Sequence, residues 1–187
     1  MKKFLICLIV LLILAVAGGV GALYYVRPDP TLSLDYRNVD MNKKALDMVK
    51  RMSFKMVLTD EDVNNVLIKS LAENPYRNKD VLVQGARFTL EGDRLVSDLS
   101  LLWKDRIPAG LRVTYRLAWK APNLTATVES VRLKDIDLPN DTVDDMSLPL
   151  GQEFPKPLKI KDVTFGQGEM TVELQKPSLS DLKDLFG

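Results

Sequence analysis

The 187-residue chain contains no histidine, and its only cysteine, Cys7, lies inside an apolar run near the start. Without imidazole there is no His-dependent catalytic triad and no imidazole metal site. With a single thiol there is no intrachain disulfide and no thiolate zinc site. Charge of either sign is not in excess: beyond Val26 the chain carries 24 basic and 25 acidic residues, so the basic surplus of a nucleic-acid-binding domain is missing. Any catalysis would rest on carboxylates, Lys, Ser, Thr or Tyr. No cofactor-binding motif or repeat is recognisable, and no catalytic or metal residue is assigned.

Charge is also absent from Phe4 to Val26, a run of 23 mostly apolar residues preceded by Lys2 and Lys3. At about 1.5 Å per residue such a run crosses a hydrocarbon core of roughly 30 Å. The positive-inside rule then puts a short tail in the cytoplasm and the rest outside, with Tyr24 and Tyr25 suited to the outer interface. The expected organisation is a signal-anchor transmembrane helix over 1–26, a stalk over 27–40 carrying Pro28 and Pro30, and one extracytoplasmic domain over 41–187. A cleaved signal peptide is the competing reading, and it too exports the domain. The 161 residues beyond Val26 suffice for one domain with a real core.

Within that domain the period of the apolar residues changes along the chain. Ala45, Met48, Val49 and Met52 form a helical stripe. Phe54, Met56 and Leu58 then alternate as a short strand. Thr59 and Asp62 carry the spacing of a capping box, with Asp60 and Glu61 at the positive end of the helix dipole, and Val63, Val66, Leu67 and Leu71 form its apolar stripe. Strand patterns follow over Val81–Leu90 and Leu95–Trp103, joined by Glu91-Gly92-Asp93. The clearest alternation places Leu111, Val113, Tyr115, Leu117 and Trp119 on one face and Arg112, Thr114, Arg116, Ala118 and Lys120 on the other. A strand from Leu124 toward Leu133 comes next. Then come an acidic crossover with six acidic and no basic residues between Asp135 and Glu153, a hairpin over 158–174, and a short helix over 178–185. One polar and one apolar face per strand predicts an antiparallel sheet. The fold class is therefore α+β: two short helices packed on a curved, mainly antiparallel sheet.

Two groups of side chains are candidate sites. Phe88, Trp103, Tyr115 and Trp119 are the large residues on the inward faces, either packed core or the lining of an apolar groove open to an acyl chain. Arg112, Arg116 and Lys120 form a basic strand face, either simply solvated or facing anionic headgroups and envelope polymers. Asp141, Asp144 and Asp145 lack the alternating spacing and glycine of an EF-hand loop and read as a solvated acidic loop.

The charged start and apolar span, the Pro-containing stalk, Met56-Val57-Leu58-Thr59-Asp60-Glu61-Asp62-Val63-Asn64-Asn65-Val66-Leu67, the Gly-containing hairpin and Val131-Arg132-Leu133-Lys134-Asp135-Ile136-Asp137-Leu138-Pro139 together resemble the YpmS-like family of small membrane-anchored extracytoplasmic proteins of Gram-positive bacteria. The resemblance implies location and fold, and no activity. The same plan is similar, in architecture only, to extracytoplasmic lipid-binding domains of the tubular type. The leading expectation is a non-enzymatic single-pass envelope protein whose outward domain binds a lipid or other amphiphile in a groove between helix and sheet. The alternative is a protein-interaction or scaffold domain with a filled core and an envelope protein as partner. A carboxylate-based hydrolase of envelope polymers is the third reading.

Overall fold

The computed structural model describes residues 18–19, 21–22, 24–26, 28, 32–50, 53–150 and 159–176. Most of the span expected over 1–26, and all of the helix expected over 178–185, lie outside the described residues. Among the described residues no helix is long and apolar enough to cross a membrane.

Helix α1 (Met41–Lys50) leads to strand β1 (Lys55–Thr59) and helix α2 (Asp60–Glu73). Strands β2 (Tyr76–Asn78), β3 (Val81–Glu91), β4 (Arg94–Trp103), β5 (Ile107–Lys120), β6 (Asn123–Leu133) and β7 (Ile136–Leu138) follow as a meander. After a short 3-10 turn at Asn140–Thr142 come β8 (Met146–Leu148), β9 (Ile160–Gly166) and β10 (Glu169–Leu174). The meander strands pair in sequence order, and β8 adds to the outer side of β6. The closing hairpin β9–β10 pairs instead with β1 as a separate three-stranded sheet in the order β1-β10-β9. Every strand pairing described is antiparallel, so the α+β reading holds.

The local signals act as their chemistry dictates. Thr59 caps α2, accepting from Asp62 N while the Asp62 carboxylate accepts from Thr59 N, a complete capping box. Gly92 and Gly168 supply the positive φ that their hairpin turns require. The inward residues of β3, β5 and β6 join Met56 and Leu58 of β1, Ile68 of α2 and Val172 of β10 in one core. The alternation of β6 breaks at Glu129, where a bulge opposite Thr114 and Tyr115 lets both Val128 and Val131 face inward.

Helix α2 turns most of its expected stripe inward: Val63, Leu67 and Leu71 pack partly buried against the core. Asn65 and Ile68 are its buried residues, while Val66 is exposed. The helix covers the free edge of β3, where backbone amides need acceptors. Asn64 Oδ1 accepts from Phe88 N (2.8 Å) and Asp60 Oδ1 accepts from Leu90 N (2.6 Å), so a polar face is turned toward the sheet.

The described residues of the expected stalk, 28 and 32–40, form a strap lying on the domain. Gly85, Ser100 and Gly110 stand opposite one another on β3, β4 and β5. Each lies two residues from Arg87, Asp98 or Arg112, on the polar face of the sheet. Gly110 N donates to Val26 O at 2.9 Å, and Ala86 N donates to Ser33 O at 3.2 Å. A Cβ on Gly110 would lie 2.9 Å from Pro28 Cα, and one on Gly85 would overlap the Leu32 carbonyl. The strap thus crosses the sheet over a row of small residues, leaving Ser100 only 4% exposed. It then turns the β3 edge, where Leu34 packs against the core and Arg37 N donates to Asn65 Oδ1.

Gly85→Ala should therefore displace the strap and cost about 1–3 kcal/mol of stability as an overpacked contact. The exposed neighbour change Gln84→Ala should stay within about 0.5 kcal/mol of wild type. Denaturant unfolding of the two variants checks this, and equal midpoints would refute the close packing of the strap.

Candidate functional site

The aromatic set does not form one groove. Phe88 and Tyr115 are buried members of the core, and Trp119 packs partly buried against it. Trp103 stands apart, 45% exposed, at the end of the sheet where β4 turns into β5. Trp119 faces Leu124 near the opposite end of β5. Strand alternation put all four on one side. Separation along the strands keeps Trp103 away from the others.

The basic strand face is neutralised in register. Arg87, Asp98, Arg112, Arg132 and Asp137 stand opposite one another across β3 to β7. Arg112 donates two hydrogen bonds to Asp98, at 2.6 and 3.1 Å, and Arg132 pairs with Asp137 at 3.1 Å. In a second group, Arg94 donates through Nε and Nη2 to the two oxygens of Glu129. Arg116 donates to Asp93 at 2.7 Å and to Glu129. Five arginines thus share the face with five carboxylates, counting Glu91 opposite Arg94, so the patch has no net positive charge. Lys120 lies exposed at the far end of β5. The missed signal was the spacing of the acids: Asp98 and Glu129 project from neighbouring strands on the same face as the arginines.

Two concave surfaces have a different composition. A cleft of about 400 Å³ between the strap, α1 and α2 is lined by Arg37, Asp40, Lys43, Lys44, Asp47 and Glu61, with Asp62 and Asn65 at its floor. Lys44 Nζ reaches Asp62 Oδ2 at 2.5 Å, and Arg37 pairs with Glu61 at 3.1 Å. Desolvation would raise the Asp62 carboxyl, but the hydrogen bonds from Lys44 and Thr59 outweigh it and hold that group below the usual carboxylate range. A second cleft of about 570 Å³ lies over β1 and the β9–β10 hairpin, lined by Phe54, Lys55, Lys161, Glu173, Leu174 and Lys176. The first is walled by charges of mixed sign, which suits a polar chain segment better than an acyl chain.

The acidic crossover has a structural use. Asp145 Oδ1 accepts from Val128 N at 2.7 Å and Asn140 Nδ2 donates to Glu129 O at 3.2 Å, tying the loop to the outer edge of β6. Among the described residues no three of His, Cys, Asp or Glu gather as metal ligands. Comparison with protein-family models, with curated proteins and with solved structures finds no match to this chain.

Two measurements test this description. Tyr115→Ala should cost about 3–5 kcal/mol in denaturant unfolding, the loss of a large core side chain. An unchanged unfolding midpoint would place the ring in an open groove. Hydrogen bonds from Arg94, then from Arg116, pull the Glu129 carboxyl down to about 2. A depressed folded-state pKa adds stability above the unfolded-state value of about 4.3, and that stability fades as pH falls toward the folded one. The unfolding midpoint should therefore drop between those limits, and Glu129→Gln should flatten that part of the profile. A parallel profile in the variant would show that the ion pairs do not couple to folding.

Proposed function

We propose that this chain is a non-enzymatic cell-envelope protein, anchored by its N-terminal apolar run, whose outward domain is an interaction module with a filled core. One observation carries the choice over the lipid-groove reading: Phe88 and Tyr115, which would line an acyl groove, are buried within the core at 8% and 6% exposure. The apolar span after Lys2 and Lys3 supports the anchor, and the resemblance to YpmS-like proteins supports the location. The contact surface of the module is the mixed-charge cleft beside the strap, and its partner is a protein segment bearing both signs of charge.

The test is a photo-crosslinking residue at Lys43, exposed on the cleft wall, in the full chain expressed in its own envelope. The expected result is a discrete protein adduct that is lost when Asp47→Lys reverses a charge on the same wall. Adducts to lipid alone, or protein adducts indifferent to Asp47→Lys, would overturn the reading.

A further inference from the structure

The chain enters the domain at one particular end of the large sheet. Tyr25 donates its hydroxyl to Asp135 in the β6–β7 turn at 2.8 Å, Lys134 Nζ lies 5.7 Å from the centre of the Tyr25 ring, and Val26 O accepts from Gly110. The preceding residues 18–19 and 21–22 are helical, and no described atom lies within 4 Å of a Cβ built on Gly18, Gly19 or Gly21. The helix therefore leaves the domain from this end. The end itself is formed by the turns β2–β3, β4–β5 and β6–β7, since an antiparallel meander returns every second turn to the same side.

Those turns carry the side chains of a membrane interface. Trp103, Tyr76 and Ile136 are 45%, 60% and 49% exposed there. Trp and Tyr are the residues that settle at headgroup level. Lys79, Lys104, Arg106 and Lys134 stand beside them, against Asp80, Asp105 and Asp135, and Lys104 Nζ lies 4.8 Å from the Trp103 ring centre. Asp135 already accepts from Tyr25. Among the described residues, Lys104, Asp105 and Lys134 are the non-glycine residues with positive φ. Glycine would adopt those conformations without strain; the chain keeps side chains there, two of them basic.

We infer that this end of the sheet rests on the outer headgroup layer of the bilayer, with Trp103 as its deepest side chain. The domain would then stand on the membrane at a fixed orientation. The inference rests on the anchored reading above, and one assay separates the two.

The full chain is mixed with vesicles of phosphatidylcholine and phosphatidylglycerol, part of the phosphatidylcholine being brominated close to the headgroup, and vesicle flotation is followed by tryptophan emission. Trp103 and Trp119 are the two tryptophans of the chain, and none lies in the apolar run. Trp119 is twelve residues beyond Ile107 on β5, roughly 40 Å along the strand. It is therefore an internal reference. The expected result is flotation with quenched emission in the wild type and in Trp119→Phe, and loss of the quenching in Trp103→Phe. Flotation with equal emission in the wild type and Trp103→Phe would overturn the inference and leave the anchor standing. Failure to float would remove the anchor and the inference together.

Discussion

Three hydrogen bonds among Asp60, Leu90 and Gly168 hold the parts of this molecule in one arrangement. Leu90 N donates to Asp60 Oδ1, Gly168 N donates to Leu90 O, and Asp60 N donates to Gly168 O. They join the first residue of α2, the end of the edge strand β3 and the turn of the closing hairpin. The small sheet is thereby fixed against the large one, with the backbone bridge Glu91 to Gln167 beside it. A buried amide without an acceptor is costly, and the free edge of β3 presents several. Everything next to that edge is positioned to supply an acceptor: Pro75 O for Val83, Ser33 O for Ala86, Asn64 for Phe88 and Asp60 for Leu90.

The opposite edge of the large sheet meets the same constraint by other means. Along β6, the short β7 pairs with residues 131–133, Asp145 takes Val128 N, and β8 pairs with residues 124–126. A crossover rich in acids and prolines is suited to this, because carboxylates accept and never donate when ionised. Both edges of the meander end in strands of three residues, which offer little for another strand to pair with. The acidic crossover is thus edge cover, and its charge need not imply a ligand.

What could be read from the sequence was what is decided locally. The alternation of β5, the turn at Gly92 and the capping box at Thr59 each depend on residues within a few positions of one another, and each formed as its chemistry requires. The features that escaped depend on register. Nothing in the sequence near Gly85 or Gly110 says that they stand on one row with Ser100, and only that row allows the strap to cross. Likewise Asp98 and Glu129 neutralise Arg112, Arg116 and Arg94 through pairings between strands, invisible to a reading of β5 alone. In the α2 stripe Val63, Leu67 and Leu71 pack inward and Val66 does not, because the helix also turns Asp60, Asn64 and Asn65 to backbone amides, a use that apolar periodicity does not reveal.

On the anchored reading proposed above, the strap changes what the anchor would transmit. A free Pro-rich linker would leave the domain to tumble above the bilayer. Bonding at Val26, close packing at Pro28 and Leu32, and a further bond at Ser33 instead tie the entry of the chain to β5 and β3 successively. Force or tilt in an anchored N-terminal helix would then reach the sheet through the contacts at Val26, Pro28, Leu32 and Ser33. Beyond Ser33 the strap forms a wall of the mixed-charge cleft through Arg37, Asn38 and Val39. One stretch of chain thus connects the proposed anchor with the surface proposed for a partner. A partner that displaced Arg37 from Glu61 and from Asn65 would pull on the same strap, so the proposed occupancy of the cleft and the proposed seating of the sheet end on the bilayer would share a mechanical element.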